Sequence, residues 1–98
     1  MALVTARAVS GRQKILVMNG GYHGAVFTFS GGGAPINAPF QFVLGMYNDI
    51  AATRMVIEDH GPEIAAIILE PMMGSTGCIP ADRAFLQMLR DEATRIGA

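Results

Sequence analysis

Two short apolar runs, Lys14–Met18 and residues 64–69, each break off into glycine and a few polar groups. Gly20-Gly21-Tyr22-His23-Gly24 follows the first, and Glu70-Pro71-Met72-Met73-Gly74 follows the second. A run of five or six residues without alternation is too short for a helix and fits a strand covered on both faces, the habit of parallel sheets. Parallel strands need crossover connections, usually helices. In open sheets of that kind the ligand crevice borders the carboxyl ends of the strands, where glycine lets the backbone approach a bound molecule. Chemistry is therefore expected at residues 20–24 and 70–76.

The rest of the chain supplies the crossovers. Residues 2–9 are rich in alanine, leucine and arginine, and Ser10-Gly11 offers a stop whose glycine takes the left-handed cap conformation. A second strand is expected over 42–47, after which Asn48-Asp49 can cap a helix over 50–59 that carries Ile50, Thr53 and Ile57 on one face and ends at Gly61-Pro62. Pro80 and Asp82 then start a helix through Ile96, with Phe85, Leu89, Ala93 and Ile96 as its packing face. A short helical turn is expected over 25–29. Residues 30–39, with three adjacent glycines and two prolines, are expected to be a flexible loop. That loop lacks the spacing of a phosphate cradle and does not join a strand to a helix. Alternating helices and apolar strands make one α/β unit, a parallel-sheet α-β-α sandwich.

Of the 98 residues 51% are hydrophobic and only 15% charged, where a self-sufficient domain carries about a quarter charged. The deficit implies surfaces meant to be covered, or else a small apolar domain prone to associate. A net charge of −1 with dispersed basic residues leaves no footprint for nucleic acid or an anionic membrane. The apolar runs fall short of the roughly 20 residues that cross a bilayer, and the N-terminus has no apolar signal core. The expectation is a soluble cytoplasmic protein. The single cysteine, Cys78, cannot form an internal disulfide and is expected to be buried and inert.

Among residues able to carry chemistry, Tyr22 is either a tyrosine at a core edge or a flat ring facing a flat ligand. His23 titrates near neutrality but has no second ligand at metal spacing, so no metal site is expected. His60, at a helix C-terminus, suits an imidazolium cap. Glu70 follows the most apolar segment, and a carboxylate there must be hydrogen-bonded, paired or protonated. Cys78 lacks a readable base and orienting group, so a thiol nucleophile is set aside.

The segments Ala2-Leu3-Val4-Thr5-Ala6-Arg7-Ala8, Gly11-Arg12-Gln13-Lys14-Ile15, Gly20 to Gly24 and Ile67-Ile68-Leu69-Glu70-Pro71-Met72-Met73-Gly74 together resemble the class III aminotransferases. These are fold type I pyridoxal-phosphate enzymes that include glutamate-1-semialdehyde aminomutase. The string GGYHG, APINAPF, YND, HGPEIAAIILEPM, GCIP is most similar in flavour to their β-amino-acid aminotransferases. The resemblance implies an internal segment of the large cofactor domain of a dimeric enzyme. It moves an amino group between an amino acid, a β-amino acid for this subgroup, and a keto acid. An aminomutase and a non-catalytic interaction module are the alternatives.

By the same resemblance, Tyr22 stacks on the pyridoxal ring, with Gly21, His23 and Glu70 beside the cofactor and Met73 and Ser75 in the substrate pocket. Relatives often carry glutamate, glutamine or asparagine where Ser75 stands, which leaves substrate choice open. The phosphate-holding turn would precede Met1, and the Schiff-base lysine and its partner aspartate would follow Ala98. Lys14, the only lysine, does not match that lysine, so no catalytic residue is assigned and the chain alone is expected to be inactive.

Overall fold

The computed structural model describes residues 1–98. Helix α1 (Ala2–Ser10) closes on Gly11, whose φ of 68° lets its amide reach back to the Arg7 carbonyl. Strand β1 (Lys14–Met18) follows, then β2 (Gln41–Gly45), α2 (Ile50–His60), β3 (Ile64–Ile67), two short strands β4 (Met72–Met73) and β5 (Ile79–Pro80), and α3 (Arg83–Ile96). The main sheet has the order β2-β1-β3 and is parallel throughout. Lys14 to Met18 run in register with Gln41 to Gly45, and Ile15 and Leu16 lie opposite Ala66 and Ile67.

Central β1 is buried from Ile15 to Met18 because both of its faces are covered. Leu16 and Met18 join Ile57 of α2 and Phe85, Met88 and Leu89 of α3 in one cluster; Ile15 and Val17 join Leu3 of α1 and Phe29 in the other. That makes the α-β-α sandwich expected from the unbroken apolar run. Each large apolar side chain buried in this way contributes about 1.5–3 kcal/mol. Met88 completes the packing face read from Phe85, Leu89 and Ala93, while Ile96 is only partly buried. Asp49 caps α2 as expected, accepting from the Ala52 amide at 2.9 Å. The buried Thr53 hydroxyl is satisfied by the Met46 amide and carbonyl, which pins the turn leaving β2.

Three local expectations are corrected. Residues 25–29 form no helical turn: Tyr22 and Thr28 pair as an antiparallel bridge, and the His23 amide donates to the Phe27 carbonyl. Gly24, at φ 112°, enters a tight turn through Ala25 and Val26 that the Phe27 amide closes on the Gly24 carbonyl, and the β-favouring Phe27 and Thr28 run back. Pro80 does not open α3; it pairs with Met72 in the β4–β5 hairpin, and the helix begins at Arg83. The second and third strands stop at Gly45 and Ile67, although the Ile68 amide still donates to Leu16. Within residues 30–39, Asn37 brackets the Thr28 amide and carbonyl, and the Gly32 amide donates to Asn19.

Candidate functional site

The loop leaving β1 and the segment leaving β3 meet at the carboxyl end of the sheet. Glu70 joins them: its carboxylate accepts from the Tyr22 amide at 3.1 Å and from the Gly74 amide at 3.4 Å. The acid following the apolar run is thus hydrogen-bonded by backbone donors from both sides of the crevice. Ser75 adds a second tie, its hydroxyl donating to the Gly20 carbonyl at 3.2 Å. Gly20 must be glycine here, because its φ is 87° and a Cβ would lie 2.9 Å from Thr76 Cγ2 and 3.1 Å from Met73 Cε.

Tyr22 is half-exposed, with its amide fixed by Glu70. Gly21 is buried beside it, and the position of its missing Cβ lies 3.4 Å from His23 Nε2. That nitrogen is shielded from solvent and has no hydrogen-bond partner, an uncompensated polar atom in the wall of the site. Burial pulls the His23 pKa below its ordinary value, with the nearby Glu70 charge opposing in part, so the neutral imidazole is favoured. Met73 is buried beneath Gly20, while Met72 is the exposed methionine of the pair; Ser75 is exposed.

Cys78 resolves differently from expectation, and His60 and Lys14 sit apart from the site. Cys78 is exposed rather than buried, because it lies at φ 56° in the turn between β4 and β5, where no layer covers it. His60 stands in the last turn of α2, as expected, and its Nδ1 lies 3.1 Å from Lys14 Nζ. Lys14 also donates to Glu63 at 2.8 Å, which holds the Glu63 carboxyl below its usual range. Lys14, His60 and Glu63 lie at the amino end of the sheet, opposite Tyr22 and Glu70. An apolar groove of about 380 Å³ runs between α1, β3 and α3, lined by Ala6, Ala66, Ile67 and Leu89 among others, and is separate from the site.

Tyr47 and Asn48 were not singled out from sequence as site residues, yet they hold its far wall. The Tyr47 hydroxyl meets the Glu70 and Pro71 carbonyls at 2.9 and 3.1 Å, and Asn48 bonds to Pro80 and Asp82. Their nearest signal in sequence was the strand end itself, where the Asn-Asp pair follows Tyr47.

No family model matches the chain. It is 50% identical over its whole length to a β-phenylalanine transaminase of Variovorax paradoxus, and superposes on that enzyme's crystal structure with a TM-score of 0.96. It is 38% identical to a glutamate-1-semialdehyde 2,1-aminomutase of Thermoplasma acidophilum over 99% of this chain. A transaminase structure with bound pyridoxal phosphate matches all of the chain at 25% identity and a TM-score of 0.86. The chain is homologous to one segment of the pyridoxal-phosphate aminotransferases. It spans 23% of the Variovorax relative and 26% of the Thermoplasma one. The parallel sheet and its three helices match part of the fold of those enzymes.

Proposed function

We propose that this segment forms the cofactor-ring face of a pyridoxal-phosphate transaminase that takes its amino group from a β-amino acid and passes it to a keto acid. The observation that carries the reading is the half-exposed Tyr22 ring, held on a backbone that Glu70 fixes, in a chain 50% identical to a β-phenylalanine transaminase. When bound, pyridoxal phosphate supplies an electron-accepting ring that no side chain provides. The residues present fit such a group. Tyr22 offers a half-exposed aromatic face to stack on, Gly21 lets the loop close tightly over the Met18 carbonyl and the His23 ring, and His23 Nε2 is a buried polar atom in want of a partner.

Each residue has a part that needs no proton transfer. Tyr22 positions the ring by stacking, worth about 0.5–1.5 kcal/mol beyond area burial. Glu70 orders the Tyr22 loop against the Gly74 turn, so its carboxylate is spent on backbone donors. Met73 supports Gly20 from beneath, and Ser75 borders the substrate side. Lys14 is engaged with Glu63 and His60 at the other end of the sheet, so the lysine that binds the cofactor lies elsewhere in the enzyme. A cytoplasmic homodimer accompanies this reading, supported by the lone cysteine and by the unpaired edge of β3 beside an apolar groove.

An aminomutase is the second reading, favoured by the 38% identity to the Thermoplasma enzyme. The two separate in one assay of the full-length protein. Amino transfer from β-phenylalanine to a keto acid supports the transaminase; isomerisation of glutamate-1-semialdehyde with no such transfer supports the aminomutase; neither activity leaves the interaction module.

A further inference from the structure

The β4–β5 hairpin meets Glu70 and the loop leaving β1 at several points. Met73 and Thr76 crowd Gly20, Gly74 donates to Glu70, and Ser75 donates to Gly20. A hairpin with two-residue strands cannot hold itself in place. What holds it comes from β2, which does not touch β3 because β1 lies between them. At the entry, the Tyr47 hydroxyl is shared by the Glu70 carbonyl at 2.9 Å and the Pro71 carbonyl at 3.1 Å. At the exit, Asn48 donates to the Pro80 carbonyl at 3.0 Å and accepts from the Asp82 amide at 2.8 Å. The Ala81 amide, donating to Pro71 at 2.9 Å, closes the neck between them.

We propose that Tyr47 and Asn48 are positioning residues, a bracket thrown from β2 across the carboxyl end of β1 that sets the Glu70 carboxylate and the β4–β5 hairpin against the Tyr22 loop. The bracket is rigid at its root. The Tyr47 ring packs on fully buried Phe85, with centroids 5.8 Å apart. Asn48 sits at φ 62°, a backbone state open to asparagine and few others, which turns its amide toward the hairpin. Burial, and after it the neighbouring charges of Glu70 and Asp82, push the Tyr47 phenol pKa up, with the Met73 backbone opposing, so the hydroxyl stays a donor. Its importance for catalysis rests on the cofactor-face reading, but the bracket itself can be tested without cofactor.

The Tyr22 and Gly74 amides report on Glu70 directly, because a charge-assisted hydrogen bond weakens when its carboxylate takes a proton. Their proton chemical shifts are followed from about pH 3 to about pH 7, across the ordinary glutamate range. Glu70→Gln should abolish the pH dependence at both amides, which validates the probe. Tyr47→Phe keeps the ring on Phe85 and removes only the hydroxyl. It should lose at least half of the pH-dependent shift at both amides, while Ile15 to Val17 keep their wild-type shifts. Asn48→Gly keeps the left-handed backbone without the side-chain bonds and should affect Gly74 more than Tyr22.

Unchanged titrations in either folded variant overturn the proposal, as does a Tyr47→Phe effect that spreads equally through β1. If Tyr47→Phe does not fold, Asn48→Gly decides alone. An intact bracket in a protein that binds no pyridoxal phosphate sinks the cofactor reading instead, so the two failures are distinguishable.

Discussion

Tyr22 and His23 are adjacent in sequence and differ in what they ask of the site. Tyr22 presents a half-exposed ring, so its contribution is expected to be stacking rather than hydroxyl chemistry. Under the proposed cofactor-face role, Tyr22→Phe in the full-length protein should keep most activity. Tyr22→Ala should weaken cofactor retention by about 0.5–1.5 kcal/mol plus lost burial, read as the cofactor dissociation constant. Equal loss in both variants would make the hydroxyl the working group. His23 carries an imidazole whose pKa is pulled down by burial against the opposing charge of Glu70. The unfolded imidazole takes a proton more readily, so acid favours the unfolded chain. Its stabilising contribution is complete above the ordinary value of about 6.5 and is lost as pH falls through the lower folded value. Urea midpoints should therefore fall more steeply with acid for the wild type than for His23→Phe over that interval. Parallel pH profiles would show that the imidazole is not held in its neutral form.

At the scale of elements, what could be read beforehand follows from local signals. β1, the end of α1 at Gly11 and the Asp49 cap of α2 each rest on residues close in sequence, and each appears as expected. Asp49→Ala should cost about 1 kcal/mol in the denaturation free energy, through loss of the bond to the Ala52 amide. An unchanged midpoint would mean that Thr53 and the packing of Ile57 hold the helix start without it. What escaped notice was not local. Two-residue strands such as Met72–Met73 and Ile79–Pro80 are too short to show a period, so Pro80 read as a helix start. The bond from Tyr47 to Glu70 spans 23 residues, and no spacing rule anticipates it. Cysteine as a type favours burial, whereas Cys78, with a left-handed backbone in the hairpin connection, lies outside. Glu70 was legible because a carboxylate at the end of an apolar strand demands donors, but which donors became clear only from the fold.

Across the whole molecule, the polar chemistry gathers at one end of a three-stranded sheet, and the only lysine is tied down at the other. The Tyr22 loop, Glu70 and the β4–β5 hairpin make a wall at the carboxyl ends of the strands, while Lys14 pairs with Glu63 and His60 at the amino ends. This separation supports the proposal that the chain faces the cofactor without supplying its covalent anchor. The most direct test is to fix pyridoxal phosphate to the full-length protein by borohydride reduction and to map the modified lysine by mass spectrometry. The account predicts one modified lysine outside residues 1–98 with Lys14 unlabelled; stoichiometric label on Lys14, or no covalently fixed cofactor at all, would contradict it.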